Sequence, residues 1–229
     1  LLGSVEKPSR YTGGELNMTL KRDANVKFAL CFPDVYEIGM SHLGSRIIYN
    51  ILNSREDTVC ERAFAPWVDM EAAMRERAIP LFSLESMRPL NEFDIIGFSL
   101  LYEMCYSNIL TMLDLSGVPF YSRDRGERDP LIVCGGPCTC NPEPVAPFMD
   151  AVMIGDGEEL VGEFISTYKR ARASGLDRRG ILRELSKVRG VYIPMMYEDE
   201  YDANGRFARL NKLDPSAPDK VTRRVVKNL

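Results

Sequence analysis

The chain has 229 residues, is 45% hydrophobic and carries a formal net charge of −4. That length allows one domain with a substantial core plus an appendage or small second domain, and the charge leaves no global basic footprint for a nucleic-acid partner. No apolar run approaches the roughly 20 residues of a membrane span, and the opening LLGSVEKPSRY is neither a signal nor a transit peptide, so a soluble, cytoplasmic protein is expected.

Residues 1 to 24 are polar and irregular, an N-terminal extension with a Gly-Gly pair at Gly13 and Gly14. Val26 to Phe32 is a short apolar run and reads as a first strand. From Ser41, placed to cap a helix, Leu43, Ile47, Ile48, Ile51 and Leu52 follow helical spacing. Thr58 to Phe64 reads as a second strand, and PWVDMEAAMRERA, opening on Pro66 with early acids, as a helix. IPLFSLES is a further strand or a loop. Phe93 to Leu100 is a third strand, followed by a helix marked by Tyr102, Tyr106, Ile109, Leu110 and Leu113 that ends at Gly117. LIVC, Leu131 to Cys134, enters Gly-Gly-Pro, and AVMI, Ala151 to Ile154, enters GDGEE and a helix to about Ala173.

Five β-then-α repeats predict a doubly wound, flavodoxin-like (Rossmann-like) α/β domain over 25 to 175, with a parallel sheet in the order 2-1-3-4-5. After it, 176 to 213 reads as a helix plus a small antiparallel appendage, in which GVYIP, MMYEDEYD and GRFARLNKL are strands and Ala-Asn-Gly a hairpin turn. Residues 214 to 229 read as a linker. The missing initial Met and the basic, β-branched ending VTRRVVKNL suit a piece of a longer protein.

Open parallel sheets bind ligands beyond the carboxyl ends of their strands, and the polar, Gly-rich stretches here follow strands: PDVYEIGMSHLG, SLLYEM, GGPCTCNPEP and GDGEE. Gly39 and Gly44 suit a tight turn with close backbone approach, and Gly135 and Gly136 would let a flat ligand lie on bare backbone. Each stretch also has a plainer reading. Asp34 suits a turn, Glu158 and Glu159 suit any helix N-terminus, and His42, the single histidine, suits a surface or packing position.

The six cysteines form no disulfide scaffold in a chain of this length. Cys31, Cys60 and Cys134 lie in apolar runs, as small buried hydrophobes do. Cys134, Cys138 and Cys140 are spaced C-x3-C-x-C, one residue short of the C-x3-C-x2-C that holds a radical-SAM iron–sulfur cluster, so no metal site is assigned to these residues.

As a set, the strand-end loops resemble a cobalamin-binding domain of the kind that precedes a radical-SAM barrel. Such domains carry D-x-H-x-x-G after the first strand, S-x-L at the third and Gly-Gly near the fourth. The matching positions are Asp34, Tyr36 and Gly39, then Ser99 and Leu101, then Gly135 and Gly136, within a resemblance covering residues 26 to about 170. EKPSRYTGGE, FPDVYEIGMSHLG, FAPWVDME and the VYIP-to-RRVVKNL tail are similar to an uncharacterised bacterial radical-SAM protein family. Its full-length members are read as an N-terminal cobalamin-binding-like domain followed by a radical-SAM domain. The resemblance implies a cobalamin held by those seven residues, and a 4Fe-4S cluster with S-adenosylmethionine in a domain beyond Leu229, the partner in the same natural chain. The family histidine that takes the lower cobalt position is Tyr36 here, and a neutral phenol is a poor ligand for a soft, low-valent metal.

Three readings follow. The chain is a cobalamin-binding-like module of a radical-SAM enzyme, positioning cofactor or substrate over a downstream iron–sulfur/SAM barrel. Alternatively, the same fold has lost cobalamin and positions substrate or engages a protein. The third is an unrelated flavodoxin-like domain for FMN or a nucleotide, which lacks the usual Ser/Thr-rich phosphate loop after its first strand. The substrate and reaction are not encoded in any of these motifs.

Overall fold

The computed structural model describes residues 1–21 and 24–226. The parts of the expected N-terminal extension at 22–23 and of the expected linker at 227–229 lie outside the described residues.

The main sheet is built from Val26–Phe32 (β1), Thr58–Phe64 (β2), Ile95–Ser99 (β3), Leu131–Gly135 (β4), Ala151–Met153 (β5) and Val191–Tyr192 (β6). Its spatial order is β2-β1-β3-β4-β5-β6; the first five strands pair in parallel, and β6 runs antiparallel to β5. The sheet is α/β and mostly parallel, as the repeats indicate, but it has six strands where five were expected. The sixth is GVYIP, which was assigned to the appendage. Its short length hid this, since Val191 and Tyr192 alone carry no directional signal. The separate antiparallel pair is Tyr197–Tyr201 (β7) with Phe207–Lys212 (β8).

The helices are Tyr36–Ser41 (α1), Leu43–Ser54 (α2), Val68–Glu76 (α3), Tyr106–Leu115 (α4), Gly157–Ala173 (α5) and Arg178–Leu185 (α6). IPLFSLES is a loop that makes a single bridge, Phe82 to Pro89. Because side chains alternate along a strand, the sheet has two apolar faces. Ala29, Cys31, Ile96, Phe98, Ile132 and Cys134 meet Met70 and Met74 of α3 and Ile109 and Met112 of α4. Phe28, Leu30, Ile95, Val133 and Met153 face Tyr49 and Leu52 of α2, Leu160 and Phe164 of α5, and Leu182 and Leu185 of α6. Among the described residues, no helix is long and apolar enough to cross a membrane.

The edge strand β2 is covered rather than bare, which removes a pairing template. Leu84 N–H bonds the Arg62 carbonyl at 2.8 Å, and Glu85 reaches Arg62 N–H at 2.6 Å and its Nε at 2.7 Å. The N-terminal segment is held nearby: Thr19 N–H donates to the Tyr49 hydroxyl at 2.8 Å, and the Lys21 ammonium donates to the Asn53 and Thr58 carbonyls. At the other end of the chain Arg224 bridges to Gly155 beside the end of β5, exchanging bonds with Ile154 and Asp156. The stretch read as a linker therefore lies against the domain at this point.

Candidate functional site

The ends of β1, β3, β4 and β5 meet α2 and α5 around a cavity of about 310 Å³. Phe28, Leu30, Gly97, Val133, Gly135 and Met153 supply the sheet side, Ser45, Ile47 and Ile48 the α2 side, and Gly157, Glu158 and Val161 the α5 side. The lining is mostly apolar with a few polar groups, as in small-molecule sites.

Two glycines shape the recess. A Cβ at Gly97 would lie 2.3 Å from Cζ of Phe28, so the bare backbone is what lets that ring cross β3. A Cβ at Gly157 would lie 2.8 Å from Cδ1 of Ile48, so the first turn of α5 can approach α2. Gly135 is different: its added Cβ would meet only Met153, at 3.7 Å or more, and a side chain there has ordinary space to enter. Gly136 holds φ at +112°, and its Cβ would fall 2.6 Å from the Leu100 carbonyl oxygen, so it answers a backbone requirement of the β4 turn. Thr139 fastens that turn, its hydroxyl donating to the carbonyl oxygens of Gly136 at 2.8 Å and Met153 at 3.0 Å, two acceptors that one proton serves alternately.

The seven residues singled out by motif divide into groups. Ser99, Gly135 and Gly136 line the cavity. Leu101 is half-buried just beyond β3, outside that lining. Asp34 sits in the β1–α1 turn with both carboxylate oxygens engaged: Oδ1 accepts the Val35 N–H at 2.7 Å, and Oδ2 accepts the Tyr102 hydroxyl. Gly39 is buried under Phe64 and Phe32. Tyr36 packs edge-on against Phe64, with ring centroids 5.6 Å apart, and donates its hydroxyl to Glu15; burial and that carboxylate push the phenol up to about 12. Asp34, Tyr36 and Gly39 thus do not share the recess with the other strand-end residues.

The residue that motif reading passed over is His42. Ser41 was expected to cap the helix, but it closes α1 instead, its hydroxyl turned back to the carbonyls of Glu37 and Ile38 at 2.9 Å. The cap of α2 is His42, whose Nδ1 accepts the Ser45 N–H at 3.1 Å. Its ring tilts against Phe32 at 5.2 Å and lines the cavity, and burial holds the imidazole pKa below its ordinary value. Histidine is not among the usual capping residues, so the sequence offered only its singularity and its place between two glycines. Glu158 lines the cavity from the first turn of α5, whereas Glu159 reaches Arg224 at 3.0 Å.

The cysteines follow the packing expectation. Cys31, Cys60 and Cys134 are buried, and burial raises each thiol pKa well above its ordinary value. Cys138 is buried and Cys140 exposed, in the turn Pro137–Cys140. Among the described residues, no group of three or more His, Cys, Asp or Glu is placed to hold a metal ion.

Residues 44–194 match the family described as radical SAM proteins, N-terminal. The match takes in Ser99, Leu101, Gly135 and Gly136 and most of the cavity wall, and it begins after Asp34, Tyr36, Gly39 and His42. No curated protein matches the chain. Since the matched span is more than half of the 229 residues, the chain belongs to this family and carries the N-terminal module of a radical-SAM protein.

Proposed function

We propose that this module holds a cobalamin at the carboxyl edge of its sheet and presents it, or a substrate beside it, to a radical-SAM domain in the same natural protein. The observation that carries the reading is the apolar recess between α2 and α5, which opens where β3 and β4 end at Ser99 and Gly135, with Gly136 just beyond. Corrinoids pair a broad face with narrower appended groups. A recess of about 310 Å³ with glycine at its rim fits an appended group inside and the wider ring outside. Ser99, Gly135 and Gly136 would hold it, with Ile48 and Val161 closing the sides. A bound cobalamin would supply a cobalt centre for alkyl or electron transfer. The chain's own part is to bind, orient and exclude water.

Nothing in this reading needs a protein ligand on cobalt. Tyr36 stands outside the cavity lining, and its phenol is committed to Glu15.

The test is an absorbance titration with hydroxocobalamin near neutral pH, comparing wild type with Gly135→Phe. Saturable binding to wild type is expected, together with its loss in the variant, because a ring at Gly135 enters free space in the recess without a strained backbone. Binding that Gly135→Phe leaves unchanged would place the ligand elsewhere.

A second reading, in which the fold has lost cobalamin and positions substrate or engages a protein, is favoured by one observation. Tyr102 closes onto Asp34 and occupies the carboxylate of the first loop. No hydroxocobalamin binding by wild type joined to its natural C-terminal domain selects it.

A further inference from the structure

We propose that His42 is a directionally fixed hydrogen-bond donor of the α2–α5 recess, its tautomer set by the helix it caps, and that the recess takes a largely apolar group bearing a hydrogen-bond acceptor. The proposal deepens the cofactor reading, since it concerns the same recess, but it does not require that the ligand be a corrinoid.

The argument begins with a backbone amide, which can only donate. The Ser45 N–H points to Nδ1 of His42 at 3.1 Å, so Nδ1 must be an unprotonated acceptor. A neutral imidazole then carries its proton on Nε2. The Ser45 hydroxyl, 2.9 Å from Nδ1, faces the same nitrogen and leaves Nε2 untouched. Among the described residues Nε2 has no hydrogen-bond partner, although the ring lines the cavity and is partly withdrawn from water.

Of the other polar side chains of the lining, none is a donor whose direction is fixed. The Glu158 carboxylate is an acceptor, Ser45 is turned to His42, and Ser99 can act either way. An acceptor on the ligand therefore finds at His42 a donor whose direction is fixed before binding. A metal ion at Nε2 would require the proton to move to Nδ1, which breaks the Ser45 bond and uncaps α2. The geometry thus assigns His42 to donation and not to coordination.

His42 is the sole histidine, so chain labelled with 15N-histidine gives one imidazole spectrum. Long-range proton–nitrogen correlation of the unliganded chain should show the Nε2–H tautomer near pH 7.5. Two probes of one shape then separate the polar contact from apolar filling: quinoline, which has an acceptor nitrogen, and naphthalene, which has none. Quinoline should shift the Nε2 nitrogen and deshield its proton through the hydrogen bond, and naphthalene should bind with only the small ring-current shifts of a neighbouring aromatic. His42→Asn keeps a good capping residue while changing the donor. It should weaken quinoline about threefold to tenfold, the range of one net hydrogen bond, with little effect on naphthalene and an unchanged helical circular dichroism signal.

An Nδ1–H tautomer, equal responses to the two probes, quinoline affinity unaltered by His42→Asn, or failure of both probes to bind each overturns the proposal. Absence of hydroxocobalamin binding, with the tautomer and the probe difference intact, overturns only the cofactor reading.

Discussion

Replacing Gly155 with alanine should release the end of the chain from the cavity loop. Gly155 holds φ at +114°, and a Cβ there would lie 2.1 Å from the carbonyl oxygen and 2.6 Å from the nitrogen of Arg224. The atoms it meets are all Arg224 backbone, so no flexible side chain is there to give way. The docked segment is held by Arg224 N–H to Ile154 at 2.9 Å, Asp156 N–H to Arg224 at 3.1 Å and Val226 N–H to Oδ2 of Asp156 at 2.9 Å. At roughly 0.5–1.5 kcal/mol net for each bond, losing these three removes about 2–4 kcal/mol of local stability. The Arg224 pairs with Glu159 and Glu163, at 3.0 Å, are half-exposed and add little. Native-state hydrogen exchange reads this directly: the Arg224 and Asp156 amides should exchange about 30- to 700-fold faster, at tenfold per roughly 1.4 kcal/mol. Gly175→Ala is the control, since Gly175 also has positive φ, +72°, but nothing within 4 Å of its Cβ. It should carry only the left-handed penalty of about 1–2 kcal/mol and leave those two amides as they were. Wild-type exchange at Arg224 and Asp156 in Gly155→Ala, or the same acceleration in Gly175→Ala, would refute the reasoning.

Glu85→Gln should destabilise the domain by about 3–5 kcal/mol in urea unfolding, because it leaves a buried Arg62 guanidinium beside a neutral partner, with its Nη2 already unpaired among the described residues; adding Arg62→Met to Glu85→Gln should recover most of that, since the Gln oxygen can still accept the residue-62 backbone N–H, and an unchanged midpoint for Glu85→Gln would count against it. Burial lowers the His42 pKa, so the unfolded chain takes up the proton first as pH falls. The stability contribution is present above about pH 6.5, the ordinary imidazole value, declines below it, and levels off once the folded ring also protonates. Urea midpoints at pH 7.5 and 5.5 should differ less in His42→Asn than in wild type; an equal difference would remove His42 as the cause. Tyr36→His should leave the spectrum of any bound hydroxocobalamin unchanged, because that side chain packs on Phe64 beside Glu15, away from the cavity lining; a shift to an imidazole-ligated spectrum would show that the first loop rearranges.

Local pattern was enough to determine the repeating architecture. Val26–Phe32, Ile95–Ser99 and Leu131–Gly135 are dense apolar runs bounded by polar turns, and the helices between them carry apolar residues at helical spacing, so α/β order follows from burial and periodicity alone. The glycines and the serine at the strand ends were legible for the same reason: in a parallel sheet, strand direction fixes which ends gather on one edge. Whether those residues form one site was decided only in three dimensions. Ser99, Gly135 and Gly136 meet the recess, whereas Asp34 is tied to Tyr102 and Tyr36 to Glu15, both partners far along the chain. The pairing of Val191–Tyr192 with β5 and of Arg224 with Gly155 likewise depends on contacts that no local window contains. His42 shows the limit most plainly. Its composition signal is a single letter, and its role comes from a backbone amide three residues on that fixes the proton on the far nitrogen.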